Sequence, residues 1–314
     1  MSWFQRASKS RSKAARQGGF ARLVPSPEGL ESAGRWALRV LFLVVLVGAV
    51  FGSIEVQRRI RGDDRFFLET WRLETGSLPE WVTPDIRSEI EGIRLSGDGA
   101  PLSLFSPGVL ARVREALERT TWIKKVAAVQ VRYPTFERPG VLGLELHVRR
   151  PVAMIEQGGL YYLVDAEGIR LGAPYAEAPT EWFGVPAITS IKAPGILPPP
   201  GERWASRDVL QGVEVAKVLF ENGIQRDYPD RPIQTIDLSN LHGLIAQRES
   251  EIVLWCGKQR LHWGRSPISE GPRTATTADI VCNLRKVLSN FDAYKDLAVI
   301  HLHRRPEALT GVRG

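Results

Sequence analysis

Residues 122–152 read WIKKVAAVQVRYPTFERPGVLGLELHVRRPV, and the periodicity of this stretch decides the fold. Leu142, Leu144, Leu146 and Val148 alternate with polar or small residues, the period of two that belongs to a half-buried strand. Val126, Ala128 and the run to Arg132 give the strand before it. That strand ends at Tyr133-Pro134, because proline brings no N–H to a ladder, and Pro151 limits pairing where the chain leaves the sheet. Upstream, Ser106 as cap and Pro107 as first residue open a helix with Val109, Leu110, Val113, Ala116 and Leu117 along one face, ending near Thr121-Trp122. A shorter helix is predicted over Pro84–Ile93 and a strand over Phe66–Leu73. The resulting order is β-α-α-β-β.

Downstream, Tyr161 to Ile169 reads as a hairpin whose turn, Asp165 to Gly168, follows from composition. A loop-rich stretch beyond Pro174 includes Pro198-Pro199-Pro200-Gly201 and leads to a helix from Arg207 to about Glu221. Gln234–Leu238, Glu251–Cys256 and Gln259–Trp263 form a meander, with Gly257-Lys258 as a tight turn. An amphipathic helix over Asp279–Leu288 and a strand over Leu297–His303 follow. The predicted fold class is α+β: an N-terminal transmembrane helix, a β-α-α-β-β module, then a mostly antiparallel β domain with flanking helices.

Trp36 to Ile54, WALRVLFLVVLVGAVFGSI, is apolar apart from Arg39. As a helix it spans about 28 Å, near the hydrocarbon thickness, with Arg39 at one end where its side chain snorkels to the headgroups. Trp36, Arg39, Leu43, Leu46 and Phe51 are the expected anchor residues. The preceding tail is too long for a comfortable signal-peptide n-region, so an uncleaved anchor is favoured over a cleaved signal. Arg58, Arg59, Arg61 and Arg65 blur the charge asymmetry. The short basic tail still favours the N-terminus inside and the body outside.

The net charge of +7 suggests nucleic acid until it is located. Residues 1–39 carry Arg6, Lys9, Arg11, Lys13, Arg16, Arg22, Arg35 and Arg39 against Glu28 and Glu31, leaving the body nearly neutral. No nucleic-acid footprint is expected, while the tail suits anionic lipid. A composition of 43% hydrophobic and 25% charged residues fits packed domains. Cys256 and Cys282 neither require nor exclude a bridge.

Catalytic chemistry is not expected. No nucleophile and base converge in sequence, and Asp165 and Glu167 are explained as turn residues. His301 and His303 share a strand face and in principle join Cys256 or His262 at a metal, but no C-x-x-C or H-E-x-x-H pair seeds a site. Gly97-Asp98-Gly99 precedes no helix with a phosphate-binding lysine. No metal, cofactor or small-molecule substrate is predicted.

The residues Trp122-Ile123-Lys124-Lys125-Val126, Val129 to Pro134, Arg149-Arg150-Pro151-Val152-Ala153 and Tyr161 to Ile169 resemble the POTRA domain and start of the β domain in the FtsQ/DivIB cell-division family. Glu137 to Gly140 reads as an insertion, and Val148 stands where the family commonly has Glu. The resemblance implies a basic cytoplasmic tail (1–35), a transmembrane helix (36–54), a POTRA-like domain (66–152), an FtsQ-type β domain (153–306) and a C-terminal tail (307–314). It also implies a non-enzymatic scaffold in the bacterial inner membrane, at the division septum, for FtsB/FtsL-type small bitopic proteins and other divisome components. The implied partner edge is the Leu297–His303 strand, with Val299, His301, His303, Arg304 and Arg305. The family tends to have Asp-x-Arg where this chain has His301-Leu302-His303. Two other classes stay open: a POTRA-bearing envelope translocation component, disfavoured because no barrel strands follow, and a membrane-anchored envelope enzyme.

Overall fold

The computed structural model describes residues 27–68, 71–93, 95, 102–135, 137–178, 184–269, 275–304 and 311–313. The chain divides into two units, Met1–Gly62 and Asp63–Gly314. In the first, helix α1 runs Pro27–Arg61. Its stretch Trp36–Arg61 is long and apolar enough to cross a membrane. The helix therefore continues beyond the expected end at Ile54, and Arg58, Arg59 and Arg61 place positive charge on its C-terminal dipole end.

The second unit is α+β and carries two sheets. The smaller has the order β1-β3-β2, with β1 at Arg72–Thr75, β2 at Ile123–Arg132 and β3 at Val141–Val148. Central β3 pairs parallel with β1 and antiparallel with β2. Helices α2 (Pro84–Glu91) and α3 (Val109–Glu118) supply Ile86, Ile90, Val113 and Leu117 to a core with Ile123, Val126, Leu142 and Leu144. The β-α-α-β-β order is thus observed, with two local differences. Phe66–Leu73 is not one strand: Asp63 caps a single 3-10 turn at Asp64–Phe66, and the strand begins at Arg72. Ser106 is not a side-chain cap either. The cap position of α3 is Gly108, whose positive φ of 68° reverses the chain, and only the Ser106 carbonyl is used, by the Val109 N–H.

The larger sheet has nine strands in the order β12-β11-β10-β9-β8-β7-β4-β5-β6. Its members are β4 (Ala153–Gln157), β5 (Leu160–Val164), β6 (Arg170–Tyr175), β7 (Ala187–Thr189), β8 (Thr235–Asp237), β9 (Ile252–Cys256), β10 (Gln259–Gly264), β11 (Leu297–His301) and β12 (Gly311–Arg313). Five of the eight interfaces are antiparallel; β10·β11, β4·β7 and β7·β8 are parallel. Helices α4 (Arg207–Glu221) and α6 (Thr277–Ser289) pack on Ile155, Ile188, Ile236, Leu254, Leu261 and Ile300, while α5 (Ile224–Asp227) and α7 (Phe291–Tyr294) are single turns. Ser206 caps α4, and Thr276 with Asp279 forms a capping box on α6. Residue 212 is glycine because a Cβ there would lie 2.8 Å from Ile188 Cγ2, so α4 approaches the sheet more closely than any side chain allows.

Strand pleat explains how the two sheets connect. Ile155 and Val164 face α4 and α6, whereas Met154, Leu163 and Leu171 point to the other face and join the core of Trp122, Ile123 and Leu142. The three-stranded part therefore covers the β4–β6 end of the large sheet.

Candidate partner-binding edge

The strand expected to be terminal lies one position inside the sheet. β11 pairs parallel with β10 on one side and antiparallel with β12 on the other, Leu297 opposite Arg313 and Val299 opposite Val312. The free backbone edge at this end, among the described residues, belongs to β12, in the segment expected to be a tail. A three-residue strand leaves little periodicity to read, so the sequence concealed it. Val299 and His301 sit on the sheet face opposite Ile300, which is fully buried under the helices. His303 and Arg304 follow the strand, held by α6: buried Asn283 donates to the carbonyls of Leu302 and Arg304 at 2.7 and 2.9 Å. Arg305 lies outside the described residues.

The structure brings three histidines together here. His262 on β10 is directly opposite His301, with ring centroids 4.9 Å apart and planes at 84°, and His301 is 5.4 Å from His303. Cys256 is not part of this group; it lies in the helix-covered core, and both cysteines are free thiols. No cluster of three or more His, Cys, Asp or Glu fit to hold a metal occurs among the described residues. His303 fits beside Gly264, where a Cβ would come within 2.9 Å of the His303 Cβ and φ is +108°. The Nδ1 atoms of His262 and His301 are enclosed without a hydrogen-bond partner among the described residues. Burial pushes His262 down to about 4, helped by the neighbouring His301, His303, Arg260 and Arg304, and burial also lowers His301 and His303.

A loop not singled out from the sequence supports this end. Buried Asn240 accepts from the Ile245 and Ala246 N–H groups at 2.9 and 2.8 Å and donates to the carbonyls of Ala246 and Ser250, both at 3.0 Å. The Ser250 hydroxyl then sits 3.3 Å from His303 Nδ1. A single asparagine between polar neighbours carries no pattern that announces four such bonds.

The paired carboxylates occupy a structural position. Asp165 is 2% exposed, accepts from the N–H groups of Glu167 and Ile169, and receives Arg149 Nη1 at 2.8 Å. Burial raises its pKa against the pull of the Ile169 N–H and Arg149. Burial also pulls Glu167 upward, but Lys124 at 2.6 Å outweighs it and holds Glu167 below its ordinary value. Both carboxylates thus serve to tie the end of the small sheet to the first hairpin of the large one.

On α1, Trp36, Arg39, Leu43, Leu46 and Phe51 are all exposed. Of the described residues around them, none buries this apolar surface, as suits a helix solvated by lipid.

The chain is similar to the cell division protein FtsQ of Streptomyces griseus, 33% identical over 103 residues. The similarity covers 32% of this chain and 43% of that protein, so it spans less than half of the relative's length. No family model matches.

Proposed function

We propose that this chain is a bitopic, non-enzymatic division scaffold of the FtsQ/DivIB type, which binds partners by adding their strands to a sheet edge. The observation that carries the reading is the backbone edge of β12, which no other strand pairs among the described residues, in a chain whose described residues include one membrane-length helix. Edge pairing needs no catalytic group: main-chain hydrogen bonds give affinity, and alternate side chains give specificity. In this reading residues 66–152 are the POTRA-like domain and 153–306 the β domain, with Gly311–Arg313 contributing the edge itself. Val299 and His301 lie one strand inside that edge, His303 follows β11, and Arg304 and Arg305 supply a basic rim. The partners are FtsB/FtsL-type small bitopic proteins. The anchor sits in the bacterial inner membrane, with the tail cytoplasmic and the body outside. The similarity to the cell division protein FtsQ of Streptomyces griseus supports this placement.

A fluorescent fusion in dividing cells tests it. Accumulation at the division plane is the expected result, and uniform envelope distribution would contradict it. Protease added to spheroplasts is expected to remove the body and spare the tail; protection of the body would reverse the orientation.

A further inference from the structure

A cleft of about 350 Å³ lies away from the β12 edge, where α2's leading segment, the end of α4 and the loop before β7 meet. Trp81, Pro186, Phe220 and Pro229 give it apolar walls, with Arg150 and Arg226 as its charges and no acidic lining residue among those described. Arg226 is already matched by Asp227 at 3.1 Å. Arg150 is not matched: its guanidinium stacks 4.8 Å from the Phe220 ring and 5.9 Å from the Trp81 ring, with no hydrogen bond or ion pair among the described residues. Burial lowers its pKa, and no anion offsets that loss. The residue before it provides a contrast, because Arg149 is fully engaged by Asp165 and Glu167.

Cation–π contact with two rings holds the guanidinium at the cleft wall, and none of its five N–H donors has a partner among the described residues. A carboxylate matches that fork, and the aromatic and proline walls suit an apolar neighbour on the same ligand. We propose that this cleft binds an acidic side chain of a partner peptide, with an adjacent apolar residue against Trp81 and Phe220. The site is separate from the sheet edge and does not depend on what binds there.

The test uses the detergent-solubilised full chain and two probes, N-acetyl-Leu-Glu-amide and N-acetyl-Leu-Gln-amide, titrated by ligand-observed NMR. The acidic probe is expected to bind roughly tenfold more tightly, the scale of one charge-assisted hydrogen bond over a neutral one. Arg150→Met keeps the stacking volume and is expected to erase the difference with the melting temperature unchanged. Phe220→Ala is expected to weaken both probes while the preference for the acid persists. Equal affinities, absence of saturable binding, or a preference surviving in Arg150→Met would overturn the proposal.

Discussion

The two ends of the nine-stranded sheet solve the edge problem in opposite ways. At the β6 end the backbone is covered: the Arg170 N–H donates to Glu202 O, the Gly201 N–H donates to Arg170 O, and Ile169 bridges Arg203. Trp122 packs beside Gly172, and Leu163 and Leu171 are fully buried against the small sheet. Pro174 adds a residue with no ladder donor. At the β12 end the last strand is three residues long, and no described element covers its outer side. One end spends its edge on internal packing; the other keeps main-chain groups available for pairing. Substitutions at the first end should therefore report on stability, and those at the second on association.

The largest effect is expected at the covered end. Asp165→Ala leaves the Arg149 guanidinium, whose side chain is 15% exposed, with only the longer contact to Glu167 and frees the Glu167 and Ile169 N–H groups, and should cost about 3–5 kcal/mol. Adding Arg149→Met should recover much of that loss, because the unpaired charge is gone. Denaturant unfolding of the solubilised chain measures both; a single substitution within 1 kcal/mol of the parent, on the order of a surface change, would break the comparison. Next comes Leu163→Ala, expected to cost about 2–4 kcal/mol by opening a cavity between the sheets.

Acid should act at the open end. The folded pKa of His262, about 4, lies below the ordinary 6.5, so the fold favours the neutral ring. Stability is then complete above pH 6.5 and declines as pH falls from 6.5 toward 4, where the unfolded chain binds the proton first. His262→Leu should flatten this slope in melting curves between those values; an unchanged slope would assign the acid sensitivity elsewhere. The smallest stability change belongs to Arg304→Glu with Arg305→Glu, expected to stay within about 0.5 kcal/mol while slowing association with an acidic partner and inverting its salt dependence.

Much of this architecture was legible because long periodic segments dominate their own local structure. The leucines of β3, the bounds of α4 and the Gly257-Lys258 turn emerged with nearly their observed limits. What escaped was set by tertiary partners. β7 is three residues fixed by two parallel neighbours, and the β1 strand is displaced from Phe66 because Leu68 and Trp71 enter the core without strand spacing. The sequence offered Cys256 or His262 as company for His301 and His303, and only the register of β10 on β11 decides for His262, since residues 262 and 301 are distant in sequence. β12 matters most for the site, and its brevity kept it out of any pattern.

Val312→Pro tests the central claim most directly, read by co-purification of small bitopic membrane proteins alongside the melting curve. Proline there obstructs strand addition at β12 while the ladder from β11 inward stays intact. The account predicts loss of those partners with a melting temperature close to the parent's. Retention of the same partners by the folded variant would contradict it and move the binding surface away from this edge.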